Sequence, residues 1–175
     1  LQHKVFGRSN FNAFVINRDA TGNYDFLSNN NKFNRVIGFD YNLSDINGKW
    51  SGKYYFHKSL SPENNDDSIS YGLSTTYESR SFGFRVAGSY IGHDFRSDLG
   101  FIRRTDIIKL YPEISYTFWP EDSKLINHGF EITPVYVLKP SLNNEISDYY
   151  IISRWDAVFR NSSRIDFTMW NRYTY

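Results

Sequence analysis

The chain lacks cysteine, and none of its apolar runs approaches the roughly 20 residues of a membrane-spanning helix. Without cysteine there are no disulfides, thiolate ligands or cysteine nucleophiles, so packing and hydrogen bonds hold the fold. The formal net charge is only +1, and Lys and Arg are scattered along the sequence. A nucleic-acid partner is therefore not expected, because such a partner normally requires clustered basic residues.

Familiar catalytic and metal-binding motifs are missing as well. There is no Gly-x-Ser-x-Gly elbow, no glycine-rich phosphate loop and no His-Glu-x-x-His helix. His3, His57, His93 and His128 are isolated, which favours polar or interfacial roles over a metal site. A catalytic site would have to be assembled from separate strands, with His57 or His93 beside an aspartate. We expect a non-enzymatic protein without a cofactor or a bound metal.

Rings supply most of the apolar mass. Aromatic residues make up 19% of the sequence, yet the mean hydropathy is −0.56 because polar residues alternate with them. Because successive side chains of a strand point to opposite faces, this alternation predicts strands with one apolar and one polar face. The clearest stretches are Trp50-Gly52-Tyr54-Phe56, Phe82-Phe84-Val86-Gly88-Tyr90, Leu110-Pro112-Ile114-Tyr116-Phe118 and Phe130-Ile132-Pro134-Tyr136-Leu138.

The pattern predicts nine strands and no helix. Their expected bounds are 11–18, 34–43, 49–58, 68–78, 81–92, 106–119, 128–139, 148–160 and 164–174. Most of these predicted strands have the length of a tilted membrane strand, about 9–11 residues, rather than the length of about 5–6 residues that is usual in a globular sheet. Pro112 and Pro134 lie inside two of them, where proline is typical of an edge or a bulge.

The connections also differ in length. Those after the first, third, fifth and seventh predicted strands are longer, those after the second, fourth and eighth are tight, and the sixth is intermediate. Transmembrane barrels show such an asymmetry, with short periplasmic turns and longer external loops. We therefore predict an all-β fold, an antiparallel up-and-down transmembrane β-barrel. Since bacterial single-chain barrels have an even number of strands, nine strands indicate part of a larger barrel.

Residues 1–175 are expected to form a single barrel segment, because nothing in the sequence marks an internal domain boundary. The chain opens at Leu1, without an initiator methionine or a leader peptide. A mature chain or an excised segment is the expected interpretation.

A soluble lipocalin-like barrel or sandwich is the alternative. There the rings would pack between strands or line a cavity for an apolar ligand or a sugar. In the membrane architecture the rings point outward and form interfacial girdles. The candidates for a girdle are Trp50, Tyr54, Trp119, Tyr136, Trp155 and Tyr173.

Charged residues lie between the rings and would line the lumen of a barrel. These presumed lumen charges are Glu113, Glu131, Arg154, Asp156, Arg160, Asp166 and Arg172. Opposite charges on neighbouring strands can pair, so both a plugged barrel and an open pore are compatible with the sequence. A solvated face of a soluble sheet would carry the same charges.

The most unusual segment runs from Gly92 to Thr105. Its glycines permit turns, and its two phenylalanines are expected to anchor it. Asp94 and Asp98 are expected to pair with Arg103 and Arg104 or to bind a cation, although the spacing of a calcium loop is missing. We favour structural anchoring over ligand binding. The structured loop motif comprises Gly92, Asp94, Phe95, Gly100, Phe101, Arg103 and Arg104.

This segment carries a family resemblance. The run 91–95 with 100–105 resembles the "I-G-x-D-F-N-P-x-x-G-F-x-x-R-T" stretch of outer-membrane proteins from Bacteroidota-type bacteria, in which a module similar to family-nine carbohydrate-binding modules precedes a C-terminal β-barrel. Runs 34–41 and 14–18 resemble the family's "N-R-x-x-G-x-D-x" strand and "T-N-R" strand end, so the resemblance covers about residues 10–120. Arg96-Ser97 departs from the usual Asn-Pro, and no carbohydrate-binding module is present. Sugar binding is therefore not assigned to these residues.

Together, the resemblance and the strand pattern imply a location in the bacterial outer membrane. The expected role is non-catalytic, in envelope transport, ligand or glycan handling, or an outer-membrane assembly. Outer-membrane lipid, other outer-membrane proteins and glycan are the expected partners. The alternative function is that of a soluble protein that binds an apolar ligand or a sugar.

Overall fold

A computed structural model of the chain describes residues 2–5, 7–22, 28–63, 66–121 and 123–174. The strands are β1 (Gln2–Val5), β2 (Ser9–Asp19), β3 (Phe33–Ser44), β4 (Trp50–Leu60), β5 (Ile69–Glu78), β6 (Phe82–Ile91), β7 (Ile107–Leu110), β8 (Glu113–Phe118), β9 (Leu125–Lys139), β10 (Glu145–Phe159) and β11 (Arg164–Thr174). Short 3-10 turns lie at Asn29–Asn31 and Pro140–Leu142. No helix in the described ranges is long and apolar enough to cross a membrane.

All eleven strands belong to one antiparallel sheet. The order is β1-β2-β3-β4-β5-β6-β7-β9-β10-β11, and β8 shares the row of β7 between β6 and β9. The prediction of an all-β, antiparallel, up-and-down arrangement is therefore confirmed. The two edge strands, β1 and β11, do not pair with each other in the described residues, so the sheet is not closed into a barrel.

The predicted count of nine strands is wrong in two places. The four-residue β1 was missed because it is too short to show a clear alternation. The predicted strand 106–119 is two strands, β7 and β8, separated by Tyr111-Pro112. Register pairs Leu110 with Tyr136 and Ile114 with Ile132, so Pro112 lies opposite Pro134. Both prolines lack an N–H, and placing them at one interruption of the ladder limits the loss of hydrogen bonds.

The two ends of the sheet have different connections. Connections 20–32, 61–68, 92–106 and 140–144 lie at one end, which we call the long-loop end. Connections 6–8, 45–49, 79–81, 119–124 and 160–163 lie at the other, the short-turn end. The predicted asymmetry holds for the first three long loops. The prediction of a longer connection before β10 is wrong, because β9 and β10 extend until a turn of five residues, 140–144, joins them.

Register places most of the rings on one side of the sheet. One row of directly paired residues is Phe39, Phe56, Tyr71 and Tyr90, and a second is Phe82, Tyr116, Phe130, Trp155 and Phe167. We call this side the apolar face. Most of these rings are exposed, and Phe167 has 62% of its surface accessible.

The opposite side, the polar face, is the more buried one. Asn34, Ser59 and Ser70 lie there with almost no exposed surface, next to the small apolar residues Val36 and Ala87. Apart from minor contacts, each described strand touches only its neighbours in the sheet, so no second layer covers this face. Burial without a covering layer means that the sheet curves toward its polar face.

Glycines let large rings lie flat on the concave polar face. A Cβ on Gly38 would overlap with the ring of Phe14 and lie 2.8 Å from the His57 ring, and a Cβ on Gly72 would lie 2.6 Å from the ring of Tyr55. Because the Phe14 ring occupies the space above Gly38, it bridges two strands that are not adjacent: Phe14 on β2 contacts His57 on β4 edge-to-face, with ring centroids 5.2 Å apart.

We predict that Gly38→Ala lowers the free energy of unfolding by about 1–3 kcal/mol, because the added methyl group overpacks the space held by Phe14. In a Phe14→Ala background the same change should cost much less, since the ring is gone. Urea titrations of the four proteins measure both effects. Equal costs in the two backgrounds would contradict the proposed contact.

Candidate functional site: the strap and the polar face

The segment 92–105 forms a strap over the long-loop end of the polar face. It begins where Gly92 packs against Asp67, so closely that a Cβ would overlap with the Asp67 carbonyl. The Asp67 carboxylate accepts hydrogen bonds from the His93 amide at 2.7 Å and from the Tyr90 hydroxyl at 2.5 Å. Gly92 is therefore required by close approach, and Asp67 holds the start of the strap.

The two phenylalanines of the strap behave differently. Phe95 is 8% exposed, whereas Phe101 is 90% exposed. The expectation that both anchor the strap is therefore wrong for Phe101. Gly100 closes a turn in which its amide donates to Ser97 at 3.3 Å, and this turn leads to the exposed Phe101 and Arg103.

The middle of the strap is tied to three strand ends. The Arg96 carbonyl accepts hydrogen bonds from Ser59 Oγ at 2.6 Å and from Asn34 Nδ2 at 3.2 Å. The Asp98 amide donates to Asn34 Oδ1 at 3.0 Å, and the Asp98 carboxylate pairs with Arg18. These contacts fix the strap to β2, β3 and β4.

The last part of the strap reaches β10. Arg104 Nη1 lies 2.6 Å from Asp148 Oδ2, and Arg104 Nη2 donates to Ser147 Oγ at 3.2 Å. In the sheet, β10 lies far from β2, β3 and β4. The strap therefore links distant parts of the sheet across one end of its polar face.

The ion pairs of the strap differ from those expected. Asp98 pairs with Arg18 and with Arg96, the latter at 2.5 Å, and Asp94 lies 2.9 Å from His93. Pairing of these aspartates with Arg103 and Arg104 is therefore not what the structure shows. Asp98 and Arg104 are directed to different strands: Asp98 pairs with Arg18 on β2, whereas Arg104 pairs with Asp148 on β10.

Contacts within the strap shift the pKa values of Asp98 and His93. Burial alone would raise the pKa of Asp98, but the hydrogen bonds and charges of Arg18 and Arg96 outweigh it and lower that pKa. The hydrogen bond and charge of Asp94 raise the pKa of the exposed His93. Asp98 is thus held in its ionised form by two guanidinium groups.

Most of the predicted lumen charges share the polar face. Arg85 lies 2.9 Å from Glu113, and Arg154 lies 3.9 Å from Glu131. Asp156 is paired by register with Asp166, and Arg164 bridges these like charges at 3.4 and 2.9 Å. Charges on this face are thus largely matched across neighbouring strands.

Arg160 and Arg172 are the two remaining presumed lumen charges. Arg160 follows the end of β10, where its Nε donates to the Ser123 carbonyl at 2.7 Å, so it belongs to the short-turn end. Arg172 lies on the polar face near the end of β11, where its Nε donates to Thr174 Oγ1 at 3.2 Å. Arg172 therefore shares the polar face with the other presumed lumen charges, whereas Arg160 does not.

The described residues contain no group of three or more His, Cys, Asp or Glu side chains arranged to hold a metal ion. On the polar face His57 Nε2 lies 3.0 Å from Asp40 Oδ1, with the Phe14 and Tyr55 rings beside it. This pair orients the imidazole within the curved face.

Sequence reasoning missed the residues that hold the strap, namely Arg18, Asn34, Ser59, Asp67 and Asp148. Each is a single polar residue at or beyond a strand end, a position where polar residues are common. Their partners are far away in sequence, and Arg18 is 80 residues from Asp98. The only available signal was the polarity of alternate positions near the strand ends.

Comparison of the chain with protein-family models, with curated proteins and with solved structures finds no match.

We predict that acid loosens the strap through Asp98. Because the folded pKa lies below the unfolded value of about 3.9, its stabilisation is complete above that value. It is lost as the pH falls through the folded pKa. Hydrogen exchange of strap amides between about pH 6 and 2.5, corrected for intrinsic rates, should show this loss.

Asp98→Asn should weaken the strap at neutral pH and reduce its response to acid. Asp94→Asn is the matched control, because Asp94 lies in the same strap but pairs with an exposed histidine. If both variants keep the wild-type acid response, Asp98 is not the group responsible.

Proposed function

We propose that this chain is part of a bacterial outer-membrane β-barrel that acts without catalysis, in envelope transport, ligand or glycan handling, or an outer-membrane assembly. Its partners are then outer-membrane lipid and, at the loops, glycan or other outer-membrane proteins. The alternative, a soluble lipocalin-like or sandwich protein, would place the rings against a second layer or around a cavity.

One observation carries the proposal: the ring-bearing face is exposed and the polar face is buried. Rows such as Phe39, Phe56 and Tyr71 face outward without a covering element in the described residues. In water this arrangement leaves a large apolar surface uncovered, which is typical of an interaction surface. Lipid would cover it along its whole length, because only alternate residues of each strand meet the bilayer.

Strand and loop geometry supports the same interpretation. Strands β2 to β6 and β9 to β11 have 10 to 15 residues, long enough to cross a bilayer when tilted. The girdle candidates Trp50, Tyr54, Tyr136, Trp155 and Tyr173 share the apolar face. We assign the long-loop end to the outside and the short-turn end to the periplasm.

The strap favours ligand handling over free passage. It lies over the outer end of the polar face and is tied to strands on both sides of it. In a barrel such a segment narrows the entrance, while paired charges line the wall behind it. The proposal is therefore a constricted barrel whose external end is shaped by the strap.

Two tryptophans test the membrane placement directly. Trp155 lies on the apolar face and Trp170 on the polar face, with 41% and 65% of their surfaces exposed. Variants in which Trp155 or Trp170 is the sole tryptophan are reconstituted into vesicles with brominated acyl chains. Trp155 should be quenched by the lipid and shielded from aqueous acrylamide, and Trp170 should behave in the opposite way. If lipid quenches neither and the protein stays monodisperse without detergent, the membrane proposal fails.

Adjacent residues of β11 provide a second prediction. Phe167→Arg places a charge on the apolar face opposite Trp155, between the interface and the bilayer midplane, which should cost about 1–2 kcal/mol of folding free energy. Thr168→Glu, on the polar face directly opposite Arg154, is the control that also introduces a charge, and it should change stability by about 0.5 kcal/mol or less. Urea titrations in vesicles measure both. If water rather than lipid covers this face, both effects should be small, because 62% of the Phe167 surface would then be in contact with solvent.

A further inference from the structure

A cavity of about 530 Å³ lies at the short-turn end, where β8 leads into β9. Arg80, Trp119, Glu121, Ile126 and Arg160 line it, so two guanidinium groups and one carboxylate share the cavity with an indole and an aliphatic side chain. We call it the turn-end cavity. It combines opposite charges with apolar surface.

Arg80 is positioned by Trp119. The guanidinium carbon of Arg80 lies 4.7 Å from the centroid of the Trp119 ring, and Trp119 Nε1 donates to the Arg80 carbonyl at 3.1 Å. A guanidinium stacked on a ring keeps its N–H groups at the rim of the plane, where they can bind an oxyanion.

Arg160 is positioned by backbone. Its Nε donates to the Ser123 carbonyl at 2.7 Å, and its own amide donates to the Lys124 carbonyl at 2.9 Å. The terminal N–H groups of the guanidinium remain for another acceptor. Neither Arg80 nor Arg160 pairs with a carboxylate in the part of the chain that the structure describes.

The cavity borders the apolar face. Ile126 lies two residues before His128, whose ring stacks on Phe118 of the apolar face, and both Ile126 and Trp119 are partly exposed. If the proposed membrane placement holds, this border lies at the lipid–water interface of the periplasmic leaflet, where tryptophan and arginine commonly meet headgroups.

We propose that the turn-end cavity binds the headgroup of a zwitterionic phospholipid, phosphoethanolamine. The phosphate accepts hydrogen bonds from Arg80 and Arg160, and the ammonium pairs with Glu121. Trp119 and Ile126 contact the adjoining glycerol and acyl carbons. The inference rests on the proposed membrane location and adds a specific lipid site to it.

Binding is tested on the full-length protein in detergent micelles. Short-chain phosphatidylethanolamine, phosphatidylglycerol and phosphatidylcholine, and inorganic phosphate, are titrated separately and followed by native mass spectrometry. Phosphatidylethanolamine should bind most tightly. The double variant Arg80→Gln/Arg160→Gln should weaken it roughly tenfold or more, through loss of charge-assisted hydrogen bonds. The matched control Arg164→Gln removes an arginine at the same end that pairs with acidic residues and does not line the cavity.

Glu121→Gln separates the two charges of the headgroup. It should abolish the preference for phosphatidylethanolamine over phosphatidylglycerol while both lipids still bind. Tighter binding of phosphatidylglycerol by the unaltered protein would overturn the zwitterionic assignment. Equal binding of inorganic phosphate, with the same sensitivity to the double variant, would overturn the lipid assignment.

Circular dichroism and heat-dependent gel migration verify that each variant is folded. A protein that inserts into vesicles but shows no headgroup preference contradicts the lipid site and leaves the membrane proposal standing. A protein that does not insert contradicts both. The two proposals can thus fail separately.

Discussion

The structure depends on the hydrogen-bonded register between neighbouring strands. Side chains alternate with a period of two, so a slip of one residue would move every ring of a strand to the polar face. The rows through Phe39 and Phe130 show that the alternation of faces is kept from β2 to β11, although the β9–β10 ladder shifts register near both of its ends. The division into an exposed apolar face and a buried polar face follows from this alternation. The curvature of the sheet and the surface that the strap contacts follow from it as well.

Alternation in the sequence predicts most of the strands and the composition of their faces, because strand geometry is local, but it misses the short β1 and the break between β7 and β8. Pro112 and Pro134 show the limit of this prediction. Each is unusual inside a strand, but their position opposite each other depends on the register between strands and joins residues 22 positions apart. Gly92 and Phe95 identify the strap as a structured loop. The partners Arg18 and Asp148 cannot be predicted in this way, because a single polar residue gives no indication of a contact that is distant in sequence.

Two kinds of side-chain interaction occupy the polar face, namely ring packing and ion pairs. Around Gly38 and Gly72, rings from neighbouring strands lie flat and take up the space above the backbone. Toward β10 and β11 the filling is ionic, and Arg164 separates two carboxylates that register places opposite each other. Ring packing is insensitive to salt, whereas partly exposed ion pairs are screened by it. The two halves of the face therefore differ in how rigidly they hold their shape under changing conditions.

The turn between β9 and β10 has a consequence for the order of folding. Asn143 and Asn144 both have positive φ, near 55° and 61°, a conformation that closes tight hairpins and that asparagine tolerates well. The turn joins β9 and β10, the two longest strands of the sheet, and another short connection leads to β11. Contacts close in sequence form early, so β9 to β11 should assemble as a nucleus. The N-terminal strands, whose ends are secured by residues some 40 to 80 positions later, would then be the last to become ordered.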